Sequence, residues 1–232
     1  MVERWDEKEV TFPDYELPPP NKEGKAYFVD VPGAKQSEIR IGYLSLPRTD
    51  PDFYANTIMN MKLGGNFSGD VNLVLREEKG YTYGARTGFG GSRLSGTFTA
   101  SSAVRSNTTE ESVNIFKDLM TKYHEPIAEE DLAFTKNVTL KSNARRFETL
   151  GALRGMISNI ATYDLPFDYI KDQEDVVRNM TVESHNALAK KYIRPDEMIY
   201  LVVGDAATQL EGMKSLGFGD PILLDTNGNT VE

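Results

Sequence analysis

Residues 63–84 read Leu63-Gly64-Gly65-Asn66-Phe67-Ser68-Gly69-Asp70-Val71-Asn72-Leu73-Val74-Leu75-Arg76-Glu77-Glu78-Lys79-Gly80-Tyr81-Thr82-Tyr83-Gly84 and set out three elements end to end. A helix stops at Gly64-Gly65, a short helix runs from Asp70 to about Glu78, and a strand leaves after Gly80. Asp70 is placed to cap or complement the helix N-terminus. The glycine pairs suit backbone turns that need positive φ. Arg76 falls on the last helical turn and Tyr83 three residues into the strand, so a sharp turn at Gly80 brings their polar tips toward one point. A guanidinium and a phenol side by side form a donor pair suited to a peptide carbonyl or its developing oxyanion. Spacing alone leaves an alternative open, in which Arg76 pairs with Glu77, Glu78 or a helix terminus and Tyr83 is a half-buried strand residue.

Before this stretch, Ala26–Val31 is β-rich and closed by Pro32-Gly33. Ser37–Leu46 alternates, with Ile39, Ile41 and Tyr43 on one face and Arg40, Gly42 and Leu44 on the other, which is a strand pattern. From Pro51 the period becomes helical through Tyr54, Ile58, Met61 and Leu63. After it, Tyr81–Phe89 and Leu94–Ala103 flank Gly88-Phe89-Gly90-Gly91 and predict an antiparallel hairpin.

Beyond Asn107 the chain reads helical for about 85 residues by its period. Thr108 with Glu111 matches a capping box, and Val113, Phe116, Met120 and Tyr123 share one face. Further helices fit 129–146, 148–161, 167–178 and 181–192, the last capped by Thr181. Met198–Val203 is a continuous apolar strand, expected to be buried on both faces if central. A helix at 206–216 and a strand at 221–224 complete the order. Helices segregated from an antiparallel or mixed sheet predict an α+β fold, one sheet with helices packed on one face. Residues 1–24, with Pro13, Pro18, Pro19 and Pro20, read as an extended lead-in or linker, and 25–232 as one domain.

The chain has 232 residues, 26 Lys+Arg against 35 Asp+Glu, two His and no Cys. A net charge of -9 speaks against nucleic-acid or anionic-membrane partners and weakly favours basic peptides. Without Cys there is no disulfide, thiol nucleophile or cysteine zinc site. No apolar run approaches the roughly 18 residues of a membrane helix, and Met1–Asp6 lack the apolar core of a signal peptide. His124-Glu125 has Ala128 where a second His would complete H-E-x-x-H, and His185 sits at a helical packing position. Both are expected to be structural, so the chain is expected to hold no metal and no cofactor. Gly88-Phe89-Gly90-Gly91 lacks the third glycine of a dinucleotide loop, and Gly64-Gly65 lacks the Lys of a P-loop. Asp225-x-Asn227-x-Asn229 lacks the rest of a calcium loop. Glu129-Glu130-Asp131 suits a helix start, where acids complement the dipole.

The segment from Leu63 to Gly84, followed by MTVESHNALAKKYI (180–193) and MIYLVVGD (198–205), resembles the C-terminal half-domain of the pitrilysin/insulinase-type zinc peptidases, the inverzincins. The similarity covers approximately residues 25–224. In that family one half carries H-x-x-E-H and the zinc. The other lacks it, closes over the first as a clamshell, and contributes an Arg and a Tyr that hydrogen-bond the substrate. By motif these correspond to Arg76 and Tyr83. The resemblance thus implies a peptide-binding, non-catalytic half whose partner is an H-x-x-E-H-bearing domain or subunit holding zinc. It also admits a non-catalytic scaffold of the same fold without peptidase activity. Where relatives have Ser-Arg-Leu after the glycines this chain has Gly69-Asp70-Val71. The missing H-x-x-E-H and the Pro-rich start lead us to expect a segment of a longer protein; exported bacterial relatives make the periplasm one candidate compartment.

Overall fold

The computed structural model describes residues 8–11 and 15–231. Met1–Asp6 and Pro13 of the lead-in lie outside the described residues, and the described ones up to Gly24 carry neither helix nor strand. The order is β1 (Lys25–Asp30), β2 (Gln36–Ser45), α1 (Phe53–Asn60), α2 (Asp70–Asn72), β3 (Thr82–Gly91) and β4 (Gly96–Arg105). Then come α3 (Thr109–Lys122), α4 (Glu129–Ser142), α5 (Leu150–Tyr163), α6 (Tyr169–Asn179), α7 (Val182–Tyr192), β5 (Ile199–Gly204), α8 (Ala206–Gln209) and β6 (Ile222–Leu224). Two of these helices widen instead of stopping: α1 runs into a π-helical turn at Met61–Gly65, and α2 into another at Leu73–Glu78.

The strands form one six-stranded mixed sheet in the order β3-β4-β2-β5-β1-β6. β1 lies parallel to both β5 and β6, while β2, β3 and β4 pair antiparallel. Alternation along each strand decides the layers. Ile39 and Ile41, Phe98 and Ala100, and Tyr200 and Val202 point to one side and join Val113, Phe116 and Met120 of α3 in the core. The intervening Arg40, Leu44 and Ile199 are exposed. The fold is therefore α+β, a single mixed sheet with its helices stacked against one face and the other face open. Among the described residues no helix is long and apolar enough to cross a membrane.

Three local expectations are corrected. β5 sits between β2 and β1, yet alternates between buried and partly exposed positions, with Ile199 38% exposed. Its continuous apolar run reflects a central strand with one face uncovered, not two covered faces. Thr108 does not form a capping box; its hydroxyl donates to the Arg105 carbonyl, and Glu111 instead receives hydrogen bonds from Lys79 and Tyr81. Of the two roles expected of Asp70, capping is absent, since the N-cap of α2 is Gly69, whereas complementing the helix N-terminus is met: it lies in the first turn, with its carboxylate 3.0 Å from Lys62. The capping expected of Thr181 is present, completed by Ser184.

Candidate functional site

The glycine-rich loop owes its shape to close packing. Gly64 has ordinary negative φ, but a Cβ there would lie 2.6 Å from Val71 and 2.8 Å from the Thr87 backbone nitrogen. The loop thus abuts β3, and only hydrogen fits between them. Gly88, Gly90 and Gly91 likewise do not adopt positive φ; the strand continues through them and the chain turns at 92–95. Positive φ is used at Gly80 (φ 63). There the Gly80 and Tyr81 N–H groups donate back to the carbonyls of Arg76 and Leu75, folding helix end onto strand start.

Within the loop the Asn66 side chain accepts from Ser68 N at 2.7 Å, and its carbonyl accepts from Gly69 N. This tight Asx turn leaves Phe67 at the tip, 67% exposed. Phe67 is in turn tied to the sheet by Asn72, which is buried on α2. The Asn72 amide donates to the Phe67 carbonyl at 2.8 Å, and its Oδ1 accepts from Ala85 N at 3.0 Å. Asn60 acts similarly two residues further along β3, donating to the Thr87 carbonyl and accepting from the Thr87 hydroxyl. Two buried asparagines thereby occupy backbone groups on the outer side of an edge strand, which is one way an edge is closed to further strand pairing.

A β-bulge sets the direction of Tyr83. Thr82 pairs with Val104 and Ala85 with Ser102, so Tyr83 and Gly84 together oppose Ala103. Ser102 holds the bulge, its hydroxyl within 3.0 Å of both the Gly84 carbonyl and the Thr82 hydroxyl. Tyr83 consequently projects from the strand and is 94% exposed, not half-buried. It lines a concavity of about 730 Å³ together with Phe67, Asn66, Asn72 and the open-face residues Glu38, Arg40, Arg86 and Ser101.

Arg76 does not line that concavity. Its guanidinium lies over the Phe67 ring, 4.6 Å from the centroid, while Nη1 sits 3.0 Å from Glu77 Oε1. The Glu77 contact is close enough for an ion pair but is not aligned as a hydrogen bond, so this buried N–H donor has no partner. The pairing with Glu77 is thus present, as the alternative reading had it, and Arg76 meets the concavity through Phe67. Phe67, Asn72 and Ser102 escaped the sequence reading; an aromatic between Asn66 and Ser68 in a glycine-flanked loop was the available signal for the first.

Both histidines meet backbone carbonyls. His124 Nε2 meets the Ile193 carbonyl, and His185, 2% exposed, places Nε2 3.2 Å from the Met59 carbonyl beside the Tyr123 hydroxyl. Burial pushes the His185 imidazole below its ordinary pKa, partly offset by the Met59 carbonyl. Among the described residues no group of three or more His, Asp or Glu side chains is arranged to hold a metal. Asp225 folds the C-terminal turn, accepting from the backbone of Asn227 and Asn229. Glu129, Glu130 and Asp131 occupy the first turn of α4.

A family model described as the peptidase M16 inactive domain matches residues 2–139. No curated protein matches the chain. Among solved structures, a peptidase M16 inactive domain from Pseudomonas fluorescens is 24% identical with a TM-score of 0.77, over 85% of this chain and 47% of that one. A protease from Helicobacter pylori is 15% identical with a TM-score of 0.73, over 86% and 48%. The periplasmic protease PqqL from Escherichia coli is 16% identical with a TM-score of 0.63, over 79% and 21%. These likenesses show a shared fold, and the chain spans less than half the length of each of the three.

Proposed function

Since the chain belongs to the family of peptidase M16 inactive domains, we propose that residues 25–232 form the substrate-binding half of a zinc metalloendopeptidase. The observation that supports this most directly is the concavity on the open sheet face, with Tyr83 94% exposed at its margin. An exposed phenol incurs no burial cost and can donate to a peptide carbonyl laid across the face. Arg76, outside the lining and held over Phe67, stands behind the loop tip, from where its positive charge acts on carbonyls of the same peptide. The closed outer side of β3 leaves the face, not the edge, as the surface that meets substrate.

Among the described residues no group of side chains is arranged to hold zinc. The metal is assigned to an H-x-x-E-H-bearing half or subunit, and this chain's part is to hold and orient the peptide backbone. Donors fixed before the substrate arrives stabilise developing charge without reorganising. The test combines this chain with an H-x-x-E-H half and measures peptide cleavage. Arg76→Ala together with Tyr83→Phe should lower kcat/KM by about a hundredfold or more. Undiminished turnover in the double variant would reject both roles, and peptide binding without cleavage beside every such half would favour a scaffold.

A further inference from the structure

We propose that this groove selects peptides bearing an acidic side chain, with Arg86 as the residue that reads it; the proposal rests on the groove being a peptide site. Among the residues lining the concavity only Glu38, Arg40 and Arg86 are charged, so its floor is locally positive in a chain of net charge -9. The two arginines are not equivalent. Arg40 Nη2 lies 2.7 Å from Glu38 Oε1 and is committed to that pair. Arg86 is exposed and has no ion-pair partner among the described residues.

Strand register places them in one row. Arg40 is opposite Ser101, and Ser101 is opposite Arg86. Ser101 is small, so two strand spacings, about 10 Å, separate the arginine backbones with little side chain between. A carboxylate entering this gap meets the free guanidinium of Arg86 and a charge-assisted fork geometry that an amide cannot match. Along β3, Arg86 is three residues past Tyr83, or about 10 Å of extended chain. The acidic side chain is therefore expected about three residues from the one whose carbonyl meets Tyr83. The overall negative charge acts at longer range and favours basic peptides, so the acidic preference is confined to one register and falls with salt only as a short-range pair does.

The test is fluorescence anisotropy of the full chain with labelled extended peptides, scanning one position as Glu, Gln or Lys. One register should bind Glu about fivefold more tightly than Gln at low salt. Arg86→Gln should abolish that difference, Arg86→Lys should keep part of it, and Arg86→Glu should turn the preference to Lys. Equal binding of Glu and Gln at every position, or a preference that survives Arg86→Gln, overturns the selectivity while leaving the peptide site intact. Absence of binding by every peptide overturns the peptide-site reading itself.

Discussion

The Arg76 guanidinium lies 4.6 Å from the centroid of the Phe67 ring, and Phe67 lines the concavity that Tyr83 borders. A residue 67% exposed thus holds an arginine in place from the solvent side. Removing the ring forfeits a cation–π contact of about 0.5–1 kcal/mol and frees the guanidinium to swing. Phe67→Ala should therefore weaken peptide binding about fivefold while lowering the unfolding free energy in urea by no more than about 1 kcal/mol. Phe67→Tyr should restore binding and Phe67→Leu should not. Wild-type affinity in Phe67→Ala would show that Arg76 needs no such support.

Asn72 ties the loop carbonyl of Phe67 to the backbone N–H of Ala85 through a single buried amide. Truncation leaves the buried Ala85 N–H and the part-buried Phe67 carbonyl unmatched, at about 1–3 kcal/mol for a fully buried group. Asn72→Ala is expected to lower unfolding free energy by about 2–4 kcal/mol in urea titration. It should also speed hydrogen exchange at Ala85 relative to Val104, whose partners lie within the sheet. An unchanged Ala85 exchange rate would remove Asn72 from this role.

The contrast between Asn72 and Phe116 explains what was legible in the sequence. Val113, Phe116 and Met120 recur at helical spacing, and their burial against the sheet follows from that period alone. The alternation of Ile39, Ile41 and Tyr43 fixes the covered face of β2 in the same local way. Asn72 gives no such signal, because its partners lie at Phe67 and Ala85, across a loop and a turn. The bulge at Tyr83-Gly84 is also invisible locally, since it exists only relative to Ala103 on the neighbouring strand. Arg76 and Tyr83 were singled out by motif and spacing, whereas the Phe67 ring between Arg76 and the concavity depends on how the loop folds back. Gly64 was misread for a related reason: glycine is demanded there by the approach of Val71 and Thr87, not by its own φ.

His185 is 2% exposed and burial holds its imidazole below the ordinary pKa. It is neutral in the folded chain at pH values where the unfolded chain, with a pKa of about 6.5, takes up a proton. The unfolded state therefore binds more protons, and stability falls as pH drops through about 6.5 toward the depressed folded value. Above that window the contribution is constant. Urea midpoints at pH 7.5 and 5.5 bracket it, and Asp52 and Glu111, with lowered pKa values, titrate at more acid pH. His185→Gln retains a donor toward the Met59 carbonyl and should flatten the change between the two pH values. An equal drop in wild type and variant would assign the acid sensitivity to other groups.

Gly64 beside β3 and Gly88 within it both look like dispensable glycines, but their surroundings differ. A Cβ at Gly64 would meet Val71 at 2.6 Å and the Thr87 nitrogen at 2.8 Å, whereas at Gly88 nothing lies within 4 Å. Overpacking against backbone that cannot yield costs about 1–3 kcal/mol. Alanine in open, extended backbone costs nothing in contacts and lowers the entropy of the unfolded chain, a gain of about 0.4–1 kcal/mol. Gly64→Ala should therefore destabilise the fold and, by pushing the loop from β3, also displace Phe67 and weaken peptide binding. Gly88→Ala should be neutral or slightly stabilising, with peptide affinity unchanged. Matching urea midpoints for the two variants would mean that the loop does not pack on Thr87 as closely as the Gly64 geometry requires.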